Sequence, residues 1–281
     1  MTTSASATID LVALPARSAT PTRTPLTLLR HQMKFELLSL VRNRQARFFT
    51  LAMPVGFLVL FCAIFGNGVL HGAGQANVRS STYYVANLTT FGIVDVAFMS
   101  LVAVLVDTRE SGVLRRRQAT PQPAWVIVAG RAIITLLVAS LIGVLLLLIG
   151  RVAYGASVPL AGVPSLLVSV VVASVAFVSL GFAISGIVRS VQSVQPTVMG
   201  VAMPLFFISG IFIPWVIIPT WLRHVAAVFP MRHLSTAILT PFTSYGGQST
   251  WSGTDLLIVA TWGAAGLIVA LRTFKWAPQD I

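Results

Sequence analysis

The chain has 281 residues, of which 56 per cent are apolar and only 9 per cent charged, with a formal net charge of +12. A soluble domain carries roughly a quarter charged residues, so this composition excludes an ordinary water-soluble fold. The basic residues stand beside apolar runs rather than in a separate basic domain, which fits an anionic membrane face and argues against a nucleic-acid partner.

Residues 1–24 are rich in Ser, Thr and Ala and carry Arg17 and Arg23. The apolar piece 9–14 contains Asp10 and is too short for a signal-peptide core. The segment reads as a disordered cytoplasmic tail. Over 25–47, Leu26, Leu29, Met33, Leu37, Leu40 and Val41 recur at three- and four-residue steps, followed by Arg42, Arg44 and Arg47. One apolar stripe with flanking cations predicts an amphipathic helix lying in the headgroup layer.

The remainder, 48–281, reads as a transmembrane domain. Six stretches approach the ~20 residues that cross about 30 Å of hydrocarbon. They are 48–65, 84–106, 124–150, 163–188, 195–214 and 256–271. Backbone groups in lipid must satisfy one another, and the runs lack the period-two alternation of barrel strands. The fold class is therefore all-α, integral to the membrane, with six transmembrane helices. Pro54, Pro196 and Pro204 fall inside spans or near their ends, where neighbouring helices tolerate kinks. Gly181 and Ser185 form a small-xxx-small pair suited to close helix approach; Gly263 and Gly266 are a weaker signal of the same kind.

Lysine and arginine set the orientation. Fourteen lie in the N-terminal segment, in the loops after spans two and four and at the C-terminus; four lie on the other side. Both termini and the loop 107–123 are then expected in the cytoplasm. That loop reads DTRESGVLRRRQATPQP. It could serve as a simple positive-inside anchor. Arg109 and Glu110 offer both signs, as specific pairing requires. Val113 and Leu114 add apolar surface, Arg115, Arg116 and Arg117 add a cationic cluster, and Thr120 to Pro123 stop a helix sharply. These features favour docking onto a partner.

The segment 206–238 is too apolar for an exposed loop and too broken by Pro214, Pro219 and Pro230 for a single span. Trp215 and Trp221 are interface aromatics. Two short helices dipping into the outer leaflet account for it, because irregular backbone at that depth survives only when packed on protein.

Few residues in the spans carry chemistry. Asp95 stands near mid-depth of span two, where a charge costs on the order of 3 kcal/mol. It is either a contact for a cationic or polar substrate, or a neutral structural acid paired with a hydroxyl such as Thr89 or Thr90. Arg131, near the start of span three, is expected to snorkel to the cytoplasmic surface. Met199, Met203, Phe206 and Phe207 on span five could line an adaptable apolar pathway, although packing is the commoner use of such residues. Cys62 is the sole cysteine, so no intramolecular disulfide or thiolate metal site can form. The four histidines make no metal-ligand spacing. There is no G-x-x-x-x-G-K-[ST] phosphate loop and no G-x-S-x-G or H-E-x-x-H pattern, so no catalytic, cofactor or metal site is expected on this chain.

The run Phe207-Ile208-Ser209-Gly210-Ile211-Phe212-Ile213-Pro214, followed by Pro219-Thr220-Trp221-Leu222 and Pro230, resembles the signature of ABC-2-type exporter permeases. The loop Arg109 to Arg116, with Ala119-Thr120-Pro121, is similar to theirs, and the daunorubicin-resistance, multidrug-exporter branch is the best match. The resemblance covers roughly residues 25–275. It implies a non-catalytic permease subunit in a prokaryotic cell membrane. Such a subunit pairs with a second permease, identical or paralogous, and with separate ATP-binding subunits that hold ATP and magnesium. It also implies roles: residues 25–47 as an elbow helix, Arg109 to Gln118 as the coupling helix docked on the ATPase, and the re-entrant hairpin as an outer gate. That gate would include Ser209, Gly210, Pro214, Pro219, Trp221 and Pro230. Its cargo would be hydrophobic or amphipathic drug-like compounds, with lipids, glycolipids or glycans as the alternative. An ion-coupled secondary transporter or channel is more remote, since it would want more buried ionisable groups than Asp95.

Overall fold

A computed structural model describes residues 25–44, 48–66, 68–70, 78–112, 124–244 and 249–273. The expected tail 1–24 and the loop residues Val113, Leu114, Arg115, Arg116 and Arg117 lie outside this range.

Helix α1 covers Pro25–Arg42. A π-helical turn, Phe48–Ala52, leads into α2, Met53–Phe65, with Pro54 at the junction between the two. Two-residue strands β1 (Val69–Leu70) and β2 (Val78–Arg79) pair antiparallel, with Val69 opposite Arg79. This small ladder is a departure from the purely helical expectation. Next, α3 (Ser80–Val94), a π-helical segment (Asp95–Ser100) and α4 (Leu101–Glu110) form one continuous rod. Helix α5 runs Ala124–Tyr154 and, after a 3-10 turn, α6 runs Val163–Ile187. Helix α7 covers Val191–Ile208. Two shorter helices follow, α8 (Thr220–Ala226) and α9 (Pro230–Thr243), before α10 (Gly253–Thr273).

Among the described residues, five helical stretches are long and apolar enough to cross a membrane: Ser80–Glu110, Val126–Tyr154, Leu160–Ile187, Val191–Ile208 and Gly253–Thr273. The first expected span falls on a shorter apolar helix, Thr50–Phe65. The fifth ends six residues before the expected Pro214. The chain leaves the helix at Ser209 and turns at Gly210, whose φ of 87° is open to glycine and strained for other residues.

The Ser80–Glu110 rod is the axis of the bundle. Its apolar window is 83 % buried, whereas that of Val126–Tyr154 is 33 % buried and that of Gly253–Thr273 is 28 % buried. Lipid solvates the remaining faces, so Leu141, Leu148, Leu257 and Leu271 point outward without penalty. Helices α2, α5 and α9 pack around α3, and α6 packs along α10. The α6–α10 crossing is close because it lacks side chains at two points. A Cβ on Gly263 would lie 2.7 Å from the Ala176 Cα, and one on Gly266 would lie 3.0 Å from the Leu180 nitrogen. The pair that looked weaker in sequence is therefore the one that lets two helices touch.

Four segments collect at one end of the bundle. Helix α1 lies against the start of α5, the end of α4 meets residues 185–189, and Thr273 lies beside Gly186. The β pair, the 154–163 turn and the 209–229 segment occupy the other end.

Candidate functional site

At the α1 end, Arg109 closes the last turn of α4, and its side chain turns inward. It is 3 % exposed. Its guanidinium donates to the Ser185 carbonyl at 2.8 Å, to the Val188 carbonyl, and to the Arg189 carbonyl at 3.3 Å. Ser185 lies in the last turn of α6, whose carbonyls have no helical partner, and Val188 and Arg189 follow directly, where the helix dipole also favours a cation. Arg109 is consequently a clamp between α4 and α6, which corrects the expectation that it faces a docking partner. Glu110 is exposed, and Gly112 (φ 70°) opens the turn that leads to the undescribed loop.

Arg131 does not snorkel freely. It forms a 2.7 Å ion pair with Glu36 of α1, and Gln32 donates to the other oxygen of Glu36 at 2.8 Å. Gln32 and Glu36 are the buried face of α1, while Phe35, Leu37 and Val41 are exposed. The buried strip of α1 thus carries Gln32 and Glu36, with Leu29 and Met33 of the apolar stripe half-buried beside them and Leu37 and Val41 exposed. The sequence shows the stripe without showing which way it points. The Arg131 Nε is buried with no hydrogen-bond partner among the described residues, and such a donor costs about 1–3 kcal/mol.

Asp95 is buried and opens the π-helical segment in the middle of the rod. π-helical turns inside helices are frequent at functional sites. The expected hydroxyl pairing is not formed: Thr89 donates to the Val85 carbonyl at 2.7 Å and Thr90 to the Ala86 carbonyl at 3.2 Å. Asp95 makes no side-chain hydrogen bond or ion pair among the described residues.

The four candidate pathway residues separate. Phe206 is fully buried, with ring centroids 5.0 Å from Phe91 and 5.7 Å from Phe212. It belongs to an aromatic cluster with Phe57 and Phe61 that locks α2, α3 and α7 together, so it is core rather than lining. Phe207 is exposed, and Met199 and Met203 are partly buried against the core.

The segment expected to close the other end is held by a polar lattice. The Tyr83 hydroxyl donates to the Gly210 carbonyl at 2.5 Å and accepts from the Trp215 N–H at 3.2 Å. The Arg232 guanidinium stacks 3.6 Å from the centroid of Trp215, and Arg223 approaches the same ring at 5.5 Å. Arg223 also donates to the carbonyls of Ile218 and Val216. Ser235 donates to Asn87 Oδ1 at 2.5 Å. Burial lowers the pKa of Arg232, with Tyr83 and Asp255 opposing that shift. Ser209 is fully buried, Pro214 and Pro219 precede short helical turns, Pro230 starts α9, and Trp221 is 67 % exposed. His233 joins α9 to α10: Nδ1 lies 2.5 Å from Asp255 Oδ1 and Nε2 lies 2.8 Å from the Ala227 carbonyl. Sequence reading missed this contact, because a histidine and an aspartate 22 residues apart carry no motif.

Among the described residues there is no cluster of three His, Cys, Asp or Glu side chains that could hold a metal. The geometry is that of a polytopic helical bundle with a buried mid-rod acid and a pinned hairpin at one end.

That is the architecture of a multi-pass membrane protein. The sequence model of the ABC-2 type transporter family matches residues 27–242, and the chain belongs to that family. It is similar to a protein named "Probable multidrug ABC transporter permease YbhR" of Escherichia coli strain K12. Identity is 30 % over 152 residues, covering 54 % of this chain and 40 % of that protein. The relative of the same name in Escherichia coli O157:H7 matches to the same extent. The chain thus aligns with two fifths of the length of these curated relatives.

Proposed function

We propose that the chain is the permease subunit of an ATP-driven exporter that moves hydrophobic or amphipathic, drug-like compounds out of the cell. In this reading Thr50–Phe65 is the first of six spans, α1 is an elbow helix, and α8 with α9 is a re-entrant hairpin on the outer side. A second permease subunit, a copy or a paralogue, completes the pathway. Separate ATP-binding subunits hold ATP and magnesium and push on the loop that follows Gly112. The membrane is the prokaryotic plasma membrane, with both termini in the cytoplasm.

The observation that carries this reading is the family match across the region in which α1, the ends of α4 and α6, and the start of α5 gather at one end. A force applied there reaches α6 through Arg109 and α1 through the Arg131–Glu36 pair. The central rod then continues to Tyr83, which holds the opposite hairpin. Asp95, midway along that rod, is the polar contact offered to cargo. Similarity to proteins named as probable multidrug permeases supports drug-like cargo over glycan or lipid.

Affinity purification of the tagged chain from its own membranes tests the proposal. The expected result is co-purification of a P-loop nucleotide-binding protein whose ATP hydrolysis responds to amphipathic compounds. A chain that purifies without such a protein and still moves cargo against a gradient would overturn it.

A further inference from the structure

We propose that His233 is a proton-operated latch: doubly protonated, it ties the hairpin of α8 and α9 to the start of α10, and loss of one proton loosens that tie. Its two ring nitrogens face two oxygens. Nδ1 lies 2.5 Å from Asp255 Oδ1 on α10, and Nε2 lies 2.8 Å from the Ala227 carbonyl between α8 and α9. An ionised carboxylate and a carbonyl only accept, so both contacts are hydrogen bonds only when both nitrogens donate. A neutral imidazole has one N–H and one lone pair. Whichever nitrogen loses its proton then sets a lone pair against an oxygen, and one of the two ties is lost.

The setting supports a switch rather than a static strut. Asp255 is the only acidic residue between positions 111 and 279. Arg223 and Arg232 stand on the same hairpin, yet the carboxylate contacts the histidine. An arginine in that place would hold its charge at any physiological pH, whereas an imidazole ordinarily changes charge between about pH 5 and 8. Ser252 donates to the other oxygen, Asp255 Oδ2, and steadies the carboxylate at the start of α10. The side chains of His233 and Asp255 are 13 % and 21 % exposed, covered enough to limit screening and open enough to exchange a proton with water. Among the described residues the other titratable groups of the hairpin and its supports are Arg232, which precedes His233 on α9 and stacks on Trp215, Arg223 and His224 of α8, and Tyr83 of α3. Asp255 is the one anion in this set, so it alone favours the charged ring. A second attachment does not titrate: Trp262 Nε1 donates to the Val228 carbonyl at 3.0 Å, and the Trp262 ring stacks on Phe229 at 6.2 Å. Loss of the proton therefore loosens the hairpin without detaching it. The latch rests on the fold alone. In the exporter reading, where the hairpin faces outward, external acidity sets how firmly that end is held.

The test uses the purified full chain in detergent, with its histidines labelled with heavy nitrogen, between about pH 5.5 and 8.5, above the ordinary carboxylate range. Nuclear magnetic resonance reads the protonation of each ring nitrogen, and His233→Gln identifies the His233 signals by their loss. In parallel, hydrogen exchange of the segment 223–240 is followed by mass spectrometry and corrected at each pH for the intrinsic exchange rate. At the acid end both nitrogens of His233 should carry protons. As the pH rises one proton should leave, and over the same interval the corrected exchange should accelerate about tenfold, the factor that one charge-assisted hydrogen bond supplies. His233→Gln should exchange at a corrected rate that is independent of pH. Asp255→Asn keeps the side-chain shape and removes the charge; it should accelerate exchange at the acid end and shrink the pH step. A His233 with one bare nitrogen throughout the range overturns the doubly protonated state. Corrected exchange that ignores pH in the wild type, or a full tenfold step that persists in either variant, overturns the latch. None of these readings involves transport, so their failure leaves the exporter reading standing.

Discussion

Replacing Arg109 with methionine probes whether the α4–α6 clamp is structural. The side chain is 3 % exposed and its guanidinium bridges the Ser185 carbonyl at 2.8 Å, the Val188 carbonyl and the Arg189 carbonyl at 3.3 Å. A hydrogen bond involving a charged group contributes about 1.5–3 kcal/mol. Counting the two closer bonds gives roughly 3–6 kcal/mol, from which the recovered desolvation of the guanidinium must be subtracted. A net loss of about 3 kcal/mol corresponds to a melting temperature lower by roughly 6–12 °C for a chain of this size. Thermal unfolding in detergent, followed by the loss of monodisperse protein on size exclusion, measures it. Arg109→Lys should fall between the two, because one ammonium cannot fork onto carbonyls on both sides of Val188. Glu110→Ala, at an exposed position, should melt within about 1 °C of wild type. A methionine variant that melts with wild type would refute the clamp.

Three further outcomes follow from the same geometry. Tyr83→Phe removes the hydroxyl shared by Gly210 and Trp215 and should cost about 1–3 kcal/mol in unfolding free energy; proteolysis of the hairpin in the folded protein should accelerate, and an unchanged cleavage rate would show that Tyr83 does not pin it. Asp95→Asn should leave thermal stability within about 1 kcal/mol, since no hydrogen bond or ion pair of its side chain is lost among the described residues. Export of cationic compounds should fall while export of neutral ones persists, and equal export of both would limit Asp95 to structure. Reversing the charge of Arg115, Arg116 and Arg117 should reduce recovery of the ATP-binding subunit in pull-downs, and full recovery with normal transport would remove that loop from the docking surface.

Long-range pairing, more than helix content, is where sequence reading stopped. The apolar runs marked the helical stretches within a few residues, because lipid forces each run to satisfy its own backbone. Pro214, Pro219 and Pro230 marked the breaks from which the short turns and α8 and α9 begin. The end of α7 was placed too late because residues 211–213 are as apolar as the helix before them, and only the backbone angle at Gly210 reveals the turn. Arg109 looked like a surface charge because its acceptors are main-chain carbonyls 76 to 80 residues away, which no side-chain pattern announces. Arg131 looked like a snorkelling residue because Glu36 lies 95 positions upstream, a separation that no local pattern announces. Phe206 and Phe207 are adjacent and chemically identical, yet one is core and the other exposed; a helix of period 3.6 separates neighbours by 100°, and the direction of the bundle is unknown until it is assembled.

Reconstitution of the chain into liposomes with its ATP-binding partner, followed by uptake of a fluorescent amphipathic cation, tests the central claim most directly. Accumulation should require both proteins and hydrolysable ATP, and should vanish with a non-hydrolysable analogue. Uptake by the chain alone, or uptake with both proteins that ignores ATP and follows an imposed ion gradient, would contradict it.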